Sequence, residues 1–323
     1  MINRKSNMIL VGFLFIIGAS IIILVGSRLL NINLSRYAYK TIAVIDLLIG
    51  LFYIYNLINK NNRKVINPVP ETSRIEVLRK YAEYDLNHKE KRYSYTFQIG
   101  NEVPEVLEKY RYSEYLKDVD PMSDMLVFRL FDFVCDNFHH DGSVAFNHDR
   151  RMVDIILACE LNNGKTNCRG LSMVLAALLR MNGIKARHVT CMPYEEPFAD
   201  CHVVVDCLIP SGKRVMLDPT MRLYLKDTNG EYVSLDHFRK GLIEGEIFLE
   251  NQDASYNSEK FDKESYIQYM SKNLFRFSSS LIYADVKNER KLGQIELIPQ
   301  GYSIKYFSNK NKLVYNPTIF WSI

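Results

Sequence analysis

The stretch that decides the reading is Lys165-Thr166-Asn167-Cys168-Arg169-Gly170-Leu171. It runs into Leu171, Val174, Leu175, Leu178 and Leu179, an i, i+3, i+4, i+7, i+8 stripe that marks one buried helical face. Thr166 or Asn167 stands where a cap is needed and Gly183 where the helix ends. Short polar side chains accept the orphan N–H groups of the first turn, and glycine tolerates the left-handed residue past the last one. Cys168 therefore falls in the first turn. There the partial positive charge of the helix end and the flanking Lys165 and Arg169 favour thiolate over thiol.

A thiolate nucleophile is served by an imidazole, and the imidazole by a carboxylate that orients it. Downstream, residues 184–192 read as a strand, followed by a polar loop with Pro193, Glu195, Glu196, Pro197 and Asp200. His202-Val203-Val204-Val205-Asp206-Cys207-Leu208-Ile209 reads as the next strand, Pro210-Ser211-Gly212-Lys213 as a turn, and Arg214-Val215-Met216-Leu217-Asp218 as the return. Strand register tests the set Cys168, His202 and Asp218. A two-residue loop at Ser211-Gly212 would put Asp218 opposite Val205 and send His202 to the other face, because side chains alternate. The sequence thus predicts a longer loop, with 202 and 218 as direct partners, or a β-bulge that re-aims one of them.

The segments Asn167-Cys168-Arg169-Gly170-Leu171, Gly183-Ile184-Lys185-Ala186-Arg187, Cys201-His202-Val203-Val204-Val205 and Leu217-Asp218-Pro219-Thr220 resemble the transglutaminase-like superfamily of papain-type cysteine enzymes, over roughly residues 120 to 245. The resemblance implies an α+β fold with the catalytic Cys on a helix N-terminus packed on an antiparallel sheet. It implies Cys168 as nucleophile, His202 as general base and then acid, and Asp218 as the residue fixing the imidazole tautomer. It also implies amide chemistry through a thioester, with peptidase or amidase action expected and transglutaminase-type acyl transfer the alternative. The substrate expected is a protein or peptide. Two positions depart from the family pattern: Val203 follows the His where an aromatic is common, and the only Trp of the chain is Trp321 rather than one shortly before Asp218. The backbone N–H of Cys168 is the expected first oxyanion donor; Asn162, Asn163 and Asn167 are candidates for the second.

Of 41 basic and 37 acidic residues, eight basic and one acidic (Asp46) lie within positions 1–65. The remainder is slightly acidic, which leaves no electrostatic footprint for nucleic acid. The six cysteines form no CxxC pair and no zinc spacing, so no metal and no cofactor is expected. Cys191, Cys201 and Cys207 read as small apolar core residues of a reducing compartment. Residues 8–26 form a 19-residue run without charge and 41–58 an 18-residue run broken by Asp46, each long enough for a bilayer core of about 30 Å. The expected organisation is a membrane anchor over 1–58 with two transmembrane helices, a linker over 59–73 and a catalytic domain over 74–323 with a C-terminal extension. Five basic residues flank the two spans against three between them, which predicts a multi-pass cell-membrane protein with a cytoplasmic catalytic domain.

Elsewhere the patterns predict helices over 74–87, 104–116, 151–161, 234–245 and 263–279, a helix opened by Asp120-Pro121, a strand over 92–99 and a strand pair over 294–307. His139-His140-Asp141 with His148-Asp149 invites a metal reading, but adjacent histidines point to different faces, and a solvated helix end is expected instead. A different class of protein stays open beside the enzyme: a membrane-anchored binding or scaffolding module that keeps the fold with an inert Cys168.

Overall fold

The structure, a computed structural model, describes residues 36–61, 69–70, 73–89, 93–98, 103–145, 151–198, 200–285, 293–304 and 311–322. The chain divides into two compact units, Met1–Lys64 and Val65–Ile323. In the first, a 26-residue helix spans Arg36–Asn61. Among the described residues no helix is long and apolar enough to cross a membrane. The run 8–26 lies outside the described residues. The run 41–58 falls on Arg36–Asn61, where the side chains of 52–61 also lie outside the description.

The second unit is built from α1 (Asp124–Asn137), β1 (His139–His140), α2 (Met152–Glu160), β2 (Lys165–Thr166), α3 (Cys168–Met181), β3 (Lys185–Met192), β4 (His202–Leu208), β5 (Arg214–Asp218) and β6 (Leu223–Lys226). It continues with α4 (Leu235–Glu244), β7 (Leu249–Glu250), β8 (Ser255–Tyr256), β9 (Glu259–Lys260), α5 (Lys263–Asn273), β10 (Arg276–Ser280), β11 (Gln294–Leu297) and β12 (Asn311–Val314). An eight-stranded sheet has the order β12-β11-β10-β3-β4-β5-β6-β7. Neighbours are antiparallel except β11 and β12, which are parallel.

Both faces of the sheet are covered, which is why β3, β4 and β5 read as nearly unbroken apolar runs. On one face Ala186, Val205, Cys207, Val215 and Leu217 pack under the buried stripes of α1, α2 and α3. On the other, Val189, Cys191, Val204 and Met216 pack against α4, α5 and the aromatic residues of β10 and the C-terminus. At about 25 cal/mol per Å² of apolar surface removed from water, these two layers supply the main drive to fold.

Several element boundaries differ from expectation. The helix near Pro121 begins later, with Ser123 at its N-cap, and residues 104–116 split into a 3-10 turn at Glu105–Tyr110 and a short helix at Tyr112–Tyr115. The first predicted helix closes early, at Arg74–Lys80, and the strand predicted over 92–99 shortens to Thr96–Phe97, which pairs with Ile282–Tyr283. The run 263–279 is not one helix: α5 stops at Asn273 and β10 begins at Arg276. Phe275 and Phe277 are claimed by the aromatic core of the second layer, and the sheet edge beside β3 outweighs local helical spacing. Among the described residues of the expected pair over 294–307 the strand is β11, whose partners are β10 and β12; 305–307 lie outside them.

Candidate active site

Cys168 is the first residue of α3. Asn167 is the cap, with extended backbone (φ −85°, ψ 175°) and a side-chain oxygen that accepts the Gly170 N–H at 3.1 Å, a contact worth about 1 kcal/mol. Its amide nitrogen is spent on the Val144 carbonyl at 3.3 Å, and Asn162 donates its own to Ala158 at 2.7 Å. Each of these amides thus spends one of its two N–H groups on a backbone carbonyl. Gly170 is dictated by packing: a Cβ there would meet Thr166 Oγ1 at 2.1 Å, so only glycine lets the first turn lie against β2. Farther along, Ser172 Oγ donates to the Val203 carbonyl at 2.7 Å and Arg169 Nη2 to Thr190 Oγ1 at 3.0 Å. These bonds fix the helix start against β3 and β4, the second of which carries His202.

The β4–β5 hairpin closes with a three-residue turn, Pro210 to Gly212, held by Ile209 N–H to Lys213 O at 2.9 Å. Its register pairs Val205 with Leu217 and Leu208 with Arg214. Extended by one pair, that register sets Asp218 opposite Val204, not opposite His202, and no bulge is needed. Direct pairing of 202 and 218 was therefore too strict an expectation. What matters is parity: a shift of two residues returns both side chains to one face as diagonal neighbours.

His202 Nε2 lies 2.7 Å from Asp218 Oδ2, and both residues are buried. The carboxylate also accepts from the Tyr266 hydroxyl at 3.0 Å and from the Thr220 backbone N–H at 3.0 Å. Burial and the Asp218 charge hold the Tyr266 phenol well above its ordinary value, so it remains a donor. With Nε2 committed to Asp218, Nδ1 is the nitrogen left for the thiol. Burial alone would lower the His202 pKa, but Asp218 and then Cys168 carry it well above the ordinary histidine value. Burial likewise pushes the Cys168 thiol up, and hydrogen bonds and charge from His140 and His202 more than reverse it, to about 6. At neutral pH the resting site is a thiolate–imidazolium pair.

The structure thus brings Cys168, His202 and Asp218 together, and adds residues that the sequence did not assign to this site. His140 lines the same cleft as Cys168. It belongs to β1, which pairs in parallel with β2 just before the thiol, rather than to a solvated helix end. Among the described residues no group of His, Cys, Asp and Glu is suited to a metal ion; His148 and Asp149 lie outside them. Tyr266 and Tyr269 come from α5, with Tyr269 edge-on to the His202 ring at 5.4 Å. No local signal marks these tyrosines, because the positions they serve lie 48 and 67 residues away in the chain. His140 did carry a signal, a paired histidine at the end of an apolar helix, but its meaning depends on the β1–β2 pairing.

The cleft over the thiol has a volume of about 550 Å³. Phe198, Met221, Tyr256 and Tyr269 give it apolar walls, while Arg169 and Asp200 supply charge. Trp321 is far from this role: it stacks against Arg187 and Arg214 on the sheet's second face.

A nucleophile at a helix N-terminus, packed on an antiparallel sheet that presents His and Asp, defines a cysteine-enzyme fold. Residues 111–219 match the Transglutaminase-like superfamily, and the chain carries a domain of that superfamily. One solved structure, "a Putative Cysteine Protease from Cytophaga hutchinsonii", is similar at 18% identity over 49% of this chain and 54% of that one, with a TM-score of 0.28. The match spans about half of that protein, and so low a score carries no structural weight. No curated protein matches the chain.

Proposed function

We propose that the protein is a cysteine hydrolase acting on amide bonds of a protein or peptide through Cys168, His202 and Asp218. The observation that carries this reading is the buried His202–Asp218 contact of 2.7 Å beside a helix N-terminal thiol held at about 6. In the first half-reaction Sγ of Cys168 attacks the carbonyl carbon, and the imidazolium of His202 gives its Nδ1 proton to the leaving amine. Asp218 keeps the ring oriented and offsets its charge. The thioester is then opened by water, whose proton returns to His202 Nδ1. Only water, an abundant acceptor, is needed to finish the cycle.

The testing experiment presents a peptide library with an added primary amine to wild type and to Cys168→Ala, read by mass spectrometry. Peptide cleavage that vanishes in Cys168→Ala supports hydrolysis. Amine incorporation at glutamine instead replaces it with transglutaminase-type acyl transfer. Identical spectra for the two proteins remove the enzyme reading in favour of a binding or scaffolding module. Attachment to the cell membrane through the N-terminal segment, with the domain on the cytoplasmic side, is proposed from hydropathy and charge alone; release of the full chain into the soluble fraction without detergent would sink it.

A further inference from the structure

His140 is held more firmly than a bystander at a cleft wall would be. Its backbone is clamped by one side chain: the His140 N–H donates to Asn257 Oδ1 at 2.9 Å, and Asn257 Nδ2 donates to the His140 carbonyl at 2.9 Å. Asn257 does this from the left-handed region, at φ +48°, where asparagine is among the few side chains that sit readily. On the other side, Asp141 N–H donates to Thr166 O at 2.8 Å, so β1 is anchored to the strand that leads into Asn167 and Cys168. The ring is fixed as well. Its Nδ1 lies 3.0 Å from the Tyr256 hydroxyl, with the two rings edge to face at 5.6 Å. A hydroxyl that donates to Nδ1 leaves the proton of a neutral imidazole on Nε2. Burial holds the Tyr256 phenol above its ordinary value, so the hydroxyl keeps the proton it donates.

We propose that His140 Nε2–H is the second oxyanion donor of this active site, with Tyr256 and Asn257 as the residues that position it. The inference deepens the hydrolase reading and rests on it. Two imidazoles line the cleft that holds Cys168, and they are committed differently. His202 is tied to a carboxylate, His140 to a hydroxyl. When Sγ bonds to the carbonyl carbon, the C=O π pair moves onto oxygen, and that oxygen accepts hydrogen bonds from the Cys168 backbone N–H and from His140 Nε2–H. No proton is transferred to it. When the intermediate collapses, C=O re-forms, the C–N bond breaks, and the amine leaves with the proton from His202 Nδ1. The same donor serves the second intermediate, formed when water adds to the thioester. In the resting enzyme a hydrogen bond from the His140 ring helps hold the Cys168 thiolate, so the ring is in place before substrate arrives and costs no reorganisation.

The test separates oxyanion stabilisation from simple support of the thiolate, using the full-length chain and two probes of Cys168. Alkylation by iodoacetamide needs a thiolate but forms no oxyanion. Acylation by p-nitrophenyl acetate passes through a tetrahedral oxyanion, and its p-nitrophenolate leaves without a proton. In His140→Ala the ratio of acylation to alkylation rates should fall by roughly 10²–10³-fold, the usual loss for one oxyanion donor. His140→Gln, which restores an N–H, should recover most of it. Tyr256→Phe, which keeps the ring packing, should cost the ratio about tenfold. A ratio unchanged in His140→Ala, with both rates falling together, overturns the assignment and leaves His140 as a thiolate partner. A wild type that alkylates at Cys168 but gives no Cys168-dependent burst of p-nitrophenolate overturns the hydrolase reading itself.

Discussion

Strand β4 carries two buried acid–base clusters on the same face, four residues apart, and they serve opposite ends. At Asp206 the carboxylate is saturated: Arg214 Nη2 reaches both oxygens at 2.7 and 2.9 Å, and Arg187 Nε and Nη2 approach at 2.9 and 2.8 Å. Arg187 is fully buried, lies 4.4 Å above the Tyr95 ring and donates to the Phe320 carbonyl at 3.0 Å. Burial opposes the Asp206 charge, but the two guanidiniums hold its pKa below the ordinary value. At His202 the strand has just begun, and the cluster opens on a cleft. Asp218 has its partners, while His202 keeps one ring nitrogen for a thiol and a substrate. The difference teaches that burying charge is not itself a sign of function. Function sits where a buried network opens a titratable ring onto a cleft beside a nucleophile.

The largest effect expected from breaking this contrast is on activity. Cys168→Ala or His202→Ala should lower amide hydrolysis by about 10⁴–10⁶-fold, as removal of a triad member does, and Cys168→Ala should leave the melting temperature nearly unchanged. Unfolding on His202→Ala would mean that this cluster is as structural as the other. Conversely, Asp206→Ala strands two guanidiniums in the interior and should cost about 3–5 kcal/mol of stability, measured by denaturant unfolding. A stable Asp206→Ala with lost activity would reverse the roles of the two clusters.

A pH series sharpens the comparison further. The Cys168 pKa is lowered, so thiolate persists above pH about 6 and is protonated below it. Iodoacetamide labelling of Cys168 should therefore rise through pH about 6, and in His202→Ala the midpoint should move up toward the ordinary value of about 8.5. A midpoint that stays put would show that His202 does not pair with the thiol. The smallest change is Tyr266→Phe. It removes one of the donors to Asp218 and should cost about 1–3 kcal/mol of stability, with a modest loss of hydrolysis. A loss as large as that of His202→Ala would make Tyr266 an equal member of the site.

The helix start at Asn167 and Cys168 was legible because capping, apolar spacing and the closing glycine are local, and α3 has the expected face buried. The hairpin was legible in kind but not in register, since turn residues mark a reversal without fixing which pairs follow it. His140, Tyr256, Asn257, Tyr266 and Tyr269 were not legible as members of the site. Each reaches it across 28 to 101 residues of chain, through β1–β2 pairing, the β8–β9 hairpin or the docking of α5. The run 263–279 failed for the related reason that a sheet edge claimed its second half.

What the sequence determined by itself is the local chemistry: a thiol in a helix first turn, an imidazole at a strand start, a carboxylate at a strand end, and the apolar runs that bury them. What only the tertiary structure decided is which nitrogen faces which partner. Register parity placed His202 and Asp218 on one face, and long-range pairing set a second imidazole beside the thiol. Such contacts join residues far apart in the chain, and no periodicity of three or four residues encodes them.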